Sequence, residues 1–596
     1  MQRQKTYTEW MLARVGERGE AEAFAFVRAA GTDRLTYAEL DRKARDIASW
    51  LQHRGLAGRQ VLLLHPSDLS FVTAFVGCLY AGAVAVPAPL PSDRERHFER
   101  LSRIAADARI GAVLTTAAHA DTLRTRLVGR GPHQVPCIAT DAGPVGDAAQ
   151  WHEPALRPDD LAFLQYTSGS TSAPKGVMIS HRNLMANEAA IQRALESTPE
   201  SCFGSWLPLY HDMGLIGHVL QPLWLGARAA LMDPGAFLRR PAGWLEMIGE
   251  HGVTIGGGPN FAYDMCVRRV KDADLARLDL SGWERACNGA EPVRADTIEA
   301  FTRRFAPAGF RPEAFFPCYG MAETTLLVAG TPRGGRPATR TVGTAALEAG
   351  ELAAPEPGNP HRRLVSSGVV HAEDFEVRIV DPDTARSLAP GRVGEIWLRG
   401  PSVADGYWAR PDATVETFGA RLTDGDDDGN GGDGGAPGGW LRTGDLGALA
   451  DGHLYVSGRL KEMILVNGRN IYPHDVESAV RSADPALGTG AAFAVQSARG
   501  GRERLVVVQE ITGPDSGDEE RGRELVERVQ AVVTAEFGVP AGNIILVAPG
   551  TVRRTTSGKI QRTLMRRLFL SSGFETLYAV VEPEVGELVG SAPAAV

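Results

Sequence analysis

At 596 residues the chain exceeds what one hydrophobic core normally organises, so at least two domains are expected. Its 43% hydrophobic and 23% charged residues are ordinary for a soluble globular protein, and a net charge of -9 speaks against a nucleic-acid partner, which is normally met by a basic face. Six cysteines (Cys78, Cys137, Cys202, Cys266, Cys287, Cys318) are scattered without a CxxC pair, which argues against a disulfide framework or thiolate zinc site and fits a reducing cytoplasm.

The N-terminal MQRQKTYTEW lacks the apolar run of a signal peptide. Apolar runs such as Val61–Leu64, Ala112–Leu114 and Ala162–Leu164 then alternate with amphipathic segments, predicting an α/β domain whose sheets are covered by helices. The uncharged stretch Leu69–Pro91 is long enough to suggest a membrane span. It is rich in Gly and Ala, holds Ser70 and Thr73, and ends in Pro87, Pro89 and Pro91. We read it as a buried helix followed by a core strand, with no stable membrane insertion.

The most specific motif follows the strand Leu161–Leu164: Tyr166-Thr-Ser-Gly-Ser-Thr-Ser-Ala-Pro-Lys-Gly176. Small residues let the backbone approach a polyphosphate, hydroxyl and N–H groups donate to its oxygens, and Lys175 adds a positive charge. It is neither a Walker loop nor a dinucleotide fingerprint. The segment resembles the phosphate loop of the adenylate-forming enzymes: acyl-CoA synthetases, peptide-synthetase adenylation domains, luciferases and fatty acyl-AMP ligases. The resemblance implies nucleotide contacts from Thr167, Ser168, Gly169, Ser170, Thr171 and Lys175. Ser172 stands where many members have Gly, a variant familiar in the fatty acyl-AMP ligases.

Further blocks follow in the family's order. Asn288-Gly-Ala-Glu-Pro292 resembles the turn that lies against adenine, implying Asn288, Gly289, Ala290 and Glu291 at the base. Pro317-Cys-Tyr-Gly-Met-Ala-Glu-Thr324 resembles the next block, with Tyr319, Gly320 and Met321 at the nucleotide. There Tyr319 would stack on the base, Thr324 would bind the α-phosphate, and Glu323 would help to hold Mg²⁺. Mg²⁺ takes oxygen ligands and usually keeps waters and phosphates, so one protein carboxylate suffices. Trp440-Leu-Arg-Thr-Gly-Asp445 supplies Asp445 for both ribose hydroxyls, and Arg459 a further ribose or phosphate contact. The cofactors implied are ATP and Mg²⁺.

Near the end, Arg553-Arg-Thr-Thr-Ser-Gly-Lys-Ile-Gln-Arg562 carries Lys559, by resemblance the lysine that reaches the carboxylate and α-phosphate during adenylation. A pre-placed ammonium stabilises the negative charge that accumulates there. Lys461 stands at the family's hinge, about which a small C-terminal domain swings between two half-reactions. The implied architecture is α/β: a large, multi-subdomain N-terminal adenylation domain over 1–460 and a small mobile α+β C-terminal lid over 461–596. The acidic, glycine-rich 423–439 has almost nothing to bury and reads as a mobile surface loop; it lacks the spacing and bidentate Glu of an EF-hand.

The family's branches diverge at the segment that Ser205-Trp-Leu-Pro-Leu-Tyr-His-Asp-Met-Gly-Leu-Ile-Gly217 resembles, and Gly256-Gly-Gly-Pro-Asn-Phe261 resembles the next pocket block of the fatty acyl-AMP ligases. The string LPLYHDMGL resembles the fatty acyl-AMP ligases. His211 would lie near carboxylate and phosphate, while Asp212, Met213, Gly214, Gly258, Pro259, Asn260 and Phe261 would border the substrate, small residues leaving room for a hydrocarbon chain. An Asp in this region anchors the α-amino group in amino-acid adenylation domains, and His211 with the Leu, Ile and Met residues could equally be core. A Pro-, Gly- and Arg-containing stretch over about 331–367 resembles the insertion of fatty acyl-AMP ligases, which is associated with poor use of CoA. Ser366-Ser-Gly-Val-Val370 departs from those relatives, which more often have Cys and then Gly-x-Pro.

The resemblance covers Tyr7 to about Glu584. It implies activation of a fatty acid as acyl-adenylate, then transfer to the phosphopantetheine thiol of a separate acyl carrier protein or polyketide/peptide synthase. Gly513-Pro-Asp-Ser516 superficially matches a phosphopantetheine attachment turn but has no helical module around it. An acyl-CoA ligase, an amino-acid or aryl-acid adenylating enzyme, and a catalytically silent acyl- or nucleotide-binding protein are the alternatives. Retention of Glu323, Asp445 and Lys559 together speaks against the last.

Overall fold

The computed structural model describes residues 5–92, 95–127, 135–167, 174–424, 439–466, 469–496, 503–513, 518–555 and 558–590. The expected alternation of strands and helices is present. A six-stranded sheet runs in the order Cys137–Ala139, Ala112–Thr115, Gln60–Leu64, Val84–Pro87, Leu161–Tyr166, Gly176–Ser180, parallel except for its last pair. An eight-stranded sheet has Leu327–Gly330, Phe315–Gly320, Arg285–Asn288, Ile255–Gly258, Cys202–Ser205, Arg228–Met232, Glu22–Arg28 and Gly31–Thr36 in that order. Its interior pairs are parallel and its two edge pairs antiparallel. Such parallel strands are buried on both faces, which is why they read as continuous apolar runs.

The uncharged stretch resolves as expected. Asp68 caps a helix over Leu69–Ala81 by accepting from the Ser70 N–H at 2.9 Å. Every residue from Phe71 to Ala81 is buried, and the strand Val84–Pro87 follows after a left-handed turn at Gly82. Thirteen residues span only about 20 Å, and among the described residues no helix is long and apolar enough to cross a membrane. All six cysteines are unpaired.

A third, antiparallel sheet follows: Glu376–Val380, Gly394–Arg399, Leu441–Ala450, His453–Arg459. Beyond it lies a smaller α+β unit with strands Leu487–Gln496, Glu503–Ile511, Asn543–Val547 and Tyr578–Val580 and helices Pro473–Ala483 and Glu519–Phe537. Two apolar clusters lie wholly within Ile464–Val589, separate from the main core. The architecture is thus a large N-terminal α/β domain and a smaller C-terminal α+β domain.

The two parts meet through a few polar ties. Glu348 accepts from Arg469 Nε at 2.8 Å and its carbonyl from Asn470 at 3.3 Å. Arg362 pairs with Asp475 and lies over the Phe537 ring. Both Glu348 and Arg362 belong to the stretch expected as an insertion, whose strands Thr339–Gly343 and His361–Val365 form a hairpin sheet of their own. Of the acidic loop, 425–438 lies outside the described residues, as does 514–516 of the Gly513–Ser516 turn.

His65 and His181 are 2% and 1% exposed, and burial above all holds their imidazoles down, at about 3 and about 4. An unfolded histidine titrates near ~6.5, so below that pH the unfolded chain takes up protons that the folded chain refuses. This stabilisation is complete above about pH 6.5 and is lost as pH falls towards the folded values. The melting temperature should therefore drop between about pH 7 and pH 5, with a shallower slope in a His65→Gln/His181→Gln variant; equal slopes in thermal melts would contradict this.

Candidate active site

A cavity of about 1100 Å³ opens between the large domain and the C-terminal unit. It gathers residues from distant parts of the chain: Lys175, His211, Glu291, Tyr319, Glu323, Asp445, Arg459 and Lys559.

Asp445 is the best-defined anchor. It follows Gly444, whose φ of +69° suits the turn in the strand Leu441–Ala450. The buried Glu395 holds that turn from behind, accepting from Arg442 Nε at 2.9 Å and from the Gly444 N–H at 3.1 Å. Thr443 donates its hydroxyl to the Ile396 carbonyl at 2.7 Å and accepts from the Asp445 N–H at 3.0 Å. Across the ladder Asp445 sits opposite Arg459, whose Nε donates to Oδ1 at 2.8 Å, while the Tyr319 hydroxyl donates to Oδ2 at 2.8 Å. Asp445 raises the Arg459 pKa; burial and then Asp445 raise that of Tyr319. One carboxylate is thus aimed by an aromatic hydroxyl and a guanidinium.

Glu323 lies in the turn Ala322–Thr324, and its carboxylate accepts from the Tyr407 hydroxyl at 2.8 Å. Burial lifts its pKa, partly offset by that hydrogen bond. Lys175 Nζ lies 4.5 Å from the centroid of the same Tyr407 ring. One aromatic therefore organises both the metal candidate and the phosphate-loop cation. The neck of that loop is closed by pairing of Tyr166 with Gly176 and by the Thr167 N–H donating to the Lys175 carbonyl at 3.1 Å. Ser168, Gly169, Ser170 and Thr171 lie outside the described residues.

Opposite stand Glu291 and the His211–Asp212 pair. Glu291 accepts from the Phe261 N–H at 2.6 Å, and burial raises its pKa. Ala290 beside it has a φ of +67°, a strained value for a residue with a side chain and one that gathers at functional sites. His211 Nδ1 is 2.6 Å from Asp212 Oδ1, which also accepts from the Met213 N–H at 2.7 Å. Burial alone would raise the Asp212 pKa; His211, Lys559 and the Met213 amide together hold it below the ordinary value.

Lys559 enters from the C-terminal unit. Its loop turns at Gly558, φ +89°, where a Cβ would strike the Phe261 ring, so the lysine loop rests on that aromatic. The Lys559 N–H donates to Thr555 Oγ1 at 3.0 Å. Burial first, then Arg459, lowers the Lys559 pKa, against the opposing pull of Asp212, Asp445 and Glu291. The ammonium stands where three carboxylates of the large domain act on it. Lys461 lies exposed in the single turn Leu460–Glu462, at the cavity edge.

Not every expected residue faces the cavity. Thr324 is fully buried, and its hydroxyl donates to the Met321 carbonyl at 2.9 Å, so it is engaged within its own turn. Asn288, Gly289, Gly214, Gly258 and Pro259 also lie behind the wall, whereas Gly320, Met321, Ala290, Met213, Asn260 and Phe261 line it. The glycines of Ile255–Gly258 do not open room for a chain as expected. A Cβ on Gly256 would come 2.6 Å from the Gly204 carbonyl, and one on Gly258 2.8 Å from the Trp206 indole, so these positions serve close packing. Apolar lining of the cavity comes instead from Ile191, Leu195, Phe316, Leu326 and Leu327 among others. Those residues, with Tyr407 and Glu395, were missed in the sequence, where nothing separates a cavity-facing Leu from a core one.

Comparison with known proteins accords with this geometry. Residues 12–408 match the family model described as AMP-binding enzyme. The chain is 40% identical over 556 residues to the medium-chain-fatty-acid–[acyl-carrier-protein] ligase JamA of Moorena producens, covering 92% of each. It is 37% identical to the putative fatty-acid–CoA ligase FadD21 of Mycobacterium tuberculosis, covering 92% of this chain and 95% of that one. The crystal structure of a fatty acid AMP ligase from Legionella pneumophila superposes with a TM-score of 0.74 at 36% identity, over 96% of this chain and 97% of that one. The chain belongs to the adenylate-forming, AMP-binding enzyme family, in close relation to its fatty acyl-AMP ligases.

Proposed function

We propose that the protein activates a fatty acid with ATP and passes the acyl group to the phosphopantetheine thiol of a separate carrier protein. The observation that carries this reading is one cavity in which Lys559, Asp445 and Glu323 converge beside apolar lining. In the first step a carboxylate oxygen of the acid attacks the α-phosphorus of ATP; the bond to the β-phosphate breaks, giving acyl-AMP and pyrophosphate. Lys559 neutralises charge where carboxylate and phosphate approach, and Asp445 and Tyr319 hold ribose and base. In the second step the thiol attacks the acyl carbonyl, loses its proton and expels AMP.

Among the described residues no group of three or more His, Cys, Asp or Glu could hold a metal ion. Glu323 nevertheless fits Mg²⁺: a buried carboxylate with one hydrogen-bond donor has coordination to spare, and Mg²⁺ completes its shell with phosphates and waters. Bound there, Mg²⁺ would offset charge on the departing pyrophosphate. The role of Lys461 as hinge and of 461–596 as a lid remains part of this reading. The ties of Glu348 and Arg362 to the C-terminal unit support it, because an insertion fastened to the lid can restrict which acceptor enters. Six unpaired cysteines suit the cytoplasm.

Asp445→Asn should raise the KM for ATP about tenfold or more, because a charge-assisted acceptor is lost and Arg459 is left unpaired. Tyr319→Phe, which keeps the ring, should raise it only a few fold; steady-state kinetics with varied ATP decides, and an unchanged KM in Asp445→Asn removes Asp445 from nucleotide binding. The function itself is tested by mass spectrometry of products from fatty acids with Mg·ATP, alone, with CoA and with a phosphopantetheinylated carrier. Acyl-AMP alone and acyl-carrier with little acyl-CoA are expected. Abundant acyl-CoA would reassign the protein as an acyl-CoA ligase, and turnover of amino or aryl acids in place of fatty acids would reassign its substrate.

A further inference from the structure

The cavity lining includes a polar group, on His218, that a plain hydrocarbon chain does not use. His218 lies in the π-helical segment Ile216–Leu220, directly after the short helix Asp212–Leu215 that carries the carboxylate end of the site. Its side chain lines the cavity although the residue is only 3% exposed. Ring Nδ1 is 2.9 Å from the Met213 carbonyl, five residues back. A carbonyl only accepts, so Nδ1 carries the proton and Nε2 is a bare acceptor. Burial holds the imidazole down at about 4, so this neutral tautomer persists at physiological pH.

Among the described residues Nε2 has no hydrogen-bond partner, yet it is not among the fully buried atoms left unsatisfied. In a side chain that lines the cavity, the accessible surface of that atom belongs to the lumen. The neighbouring wall (Ile191, Leu195, Phe316, Leu326, Leu327) offers no side-chain donor for it. A straight hydrocarbon chain packed against this wall would strip water from Nε2 and leave a buried acceptor unsatisfied, which is costly. A hydroxyl at the matching carbon would donate to it. π-helical turns recur where a helix has been reshaped around a functional group, and here the turn accompanies the fold of the ring back onto Met213.

We propose that His218 is a specificity-determining residue, whose Nε2 accepts a hydrogen bond from a hydroxyl borne on the acyl chain, so that the site selects a hydroxylated fatty acid. The inference rests on the proposed fatty-acid adenylation and deepens it.

The test is pyrophosphate release by the full-length enzyme with Mg·ATP and a series of mono-hydroxylated acids of one length, the hydroxyl moved along the chain, against the unsubstituted acid. One positional isomer should exceed the unsubstituted acid in kcat/KM by about tenfold. His218→Leu should erase that preference while retaining or improving turnover of the unsubstituted acid, and His218→Gln, which restores an acceptor, should recover part of it; melting curves check that each variant is folded. A flat isomer series in the wild type, or an equal preference in folded His218→Leu, overturns the role of His218. Turnover of the unsubstituted acid reads the adenylation separately: with it present a flat series condemns His218 alone, and with no acid turned over both readings fall.

Discussion

The site is organised by a charge balance that neither domain achieves alone. Asp212, Glu291, Glu323 and Asp445 all stand in the cavity wall of the large domain, and Glu291 and Glu323 each accept from a single donor, the Phe261 N–H and the Tyr407 hydroxyl. Carboxylates gathered at low dielectric repel one another and pay for desolvation unless cations or donors compensate them. Arg459 answers Asp445 from the neighbouring strand, and Lys559 answers Asp212, Asp445 and Glu291 from the other domain. The same arrangement is receptive to a metal-bound polyphosphate and a substrate carboxylate, whose added charges the two cations then face.

Much of the fold can be seen as fixing these few groups. The antiparallel ladder places Asp445 opposite Arg459, and Glu395 behind it locks the turn. The pairing of Tyr166 with Gly176 closes the neck of the phosphate loop, while Tyr407 sits between Glu323 and Lys175. On its own side Lys559 is braced by Thr555, whose N–H donates to the Lys559 carbonyl at 2.7 Å and whose hydroxyl accepts from the Lys559 N–H at 3.0 Å. It is held by the fit of Gly558 on Phe261 and by the polar ties at Glu348 and Arg362. Polar junctions of this kind are worth little each and can be exchanged, which is compatible with the lid movement proposed above.

The legible part of the sequence was the part in which chemistry demands particular residue types at a fixed spacing. Lys559, Asp445, Arg459, Tyr319 and Glu323 were each readable from contiguous motifs, and they converge in the cavity. The alternating apolar runs likewise pointed to an α/β domain with helix-covered sheets, because strands buried on both faces leave that signature. What stayed hidden was whatever depends on which way a residue faces. Thr324 carries a hydroxyl suited to phosphate but turns it to its own backbone, and Gly258 reads as open space but is filled by Trp206. Ile191 and Leu195 share one helix face that borders the cavity, and in sequence they are indistinguishable from core. His218 is hidden for the same reason: its meaning lies in one nitrogen being tied to Met213 and the other being left bare.

The central claim is that Lys559 serves adenylation and not the later thioester step. The most direct measurement separates the two half-reactions in Lys559→Ala: fatty-acid-dependent exchange of pyrophosphate into ATP, and transfer from synthetic acyl-AMP to a phosphopantetheinylated carrier. Loss of a pre-placed charge in a water-poor site typically costs ~100-fold or more, so exchange should fall by at least that factor while transfer stays within a few fold of wild type. An equal loss in both reactions, or exchange at the wild-type rate, would contradict the account.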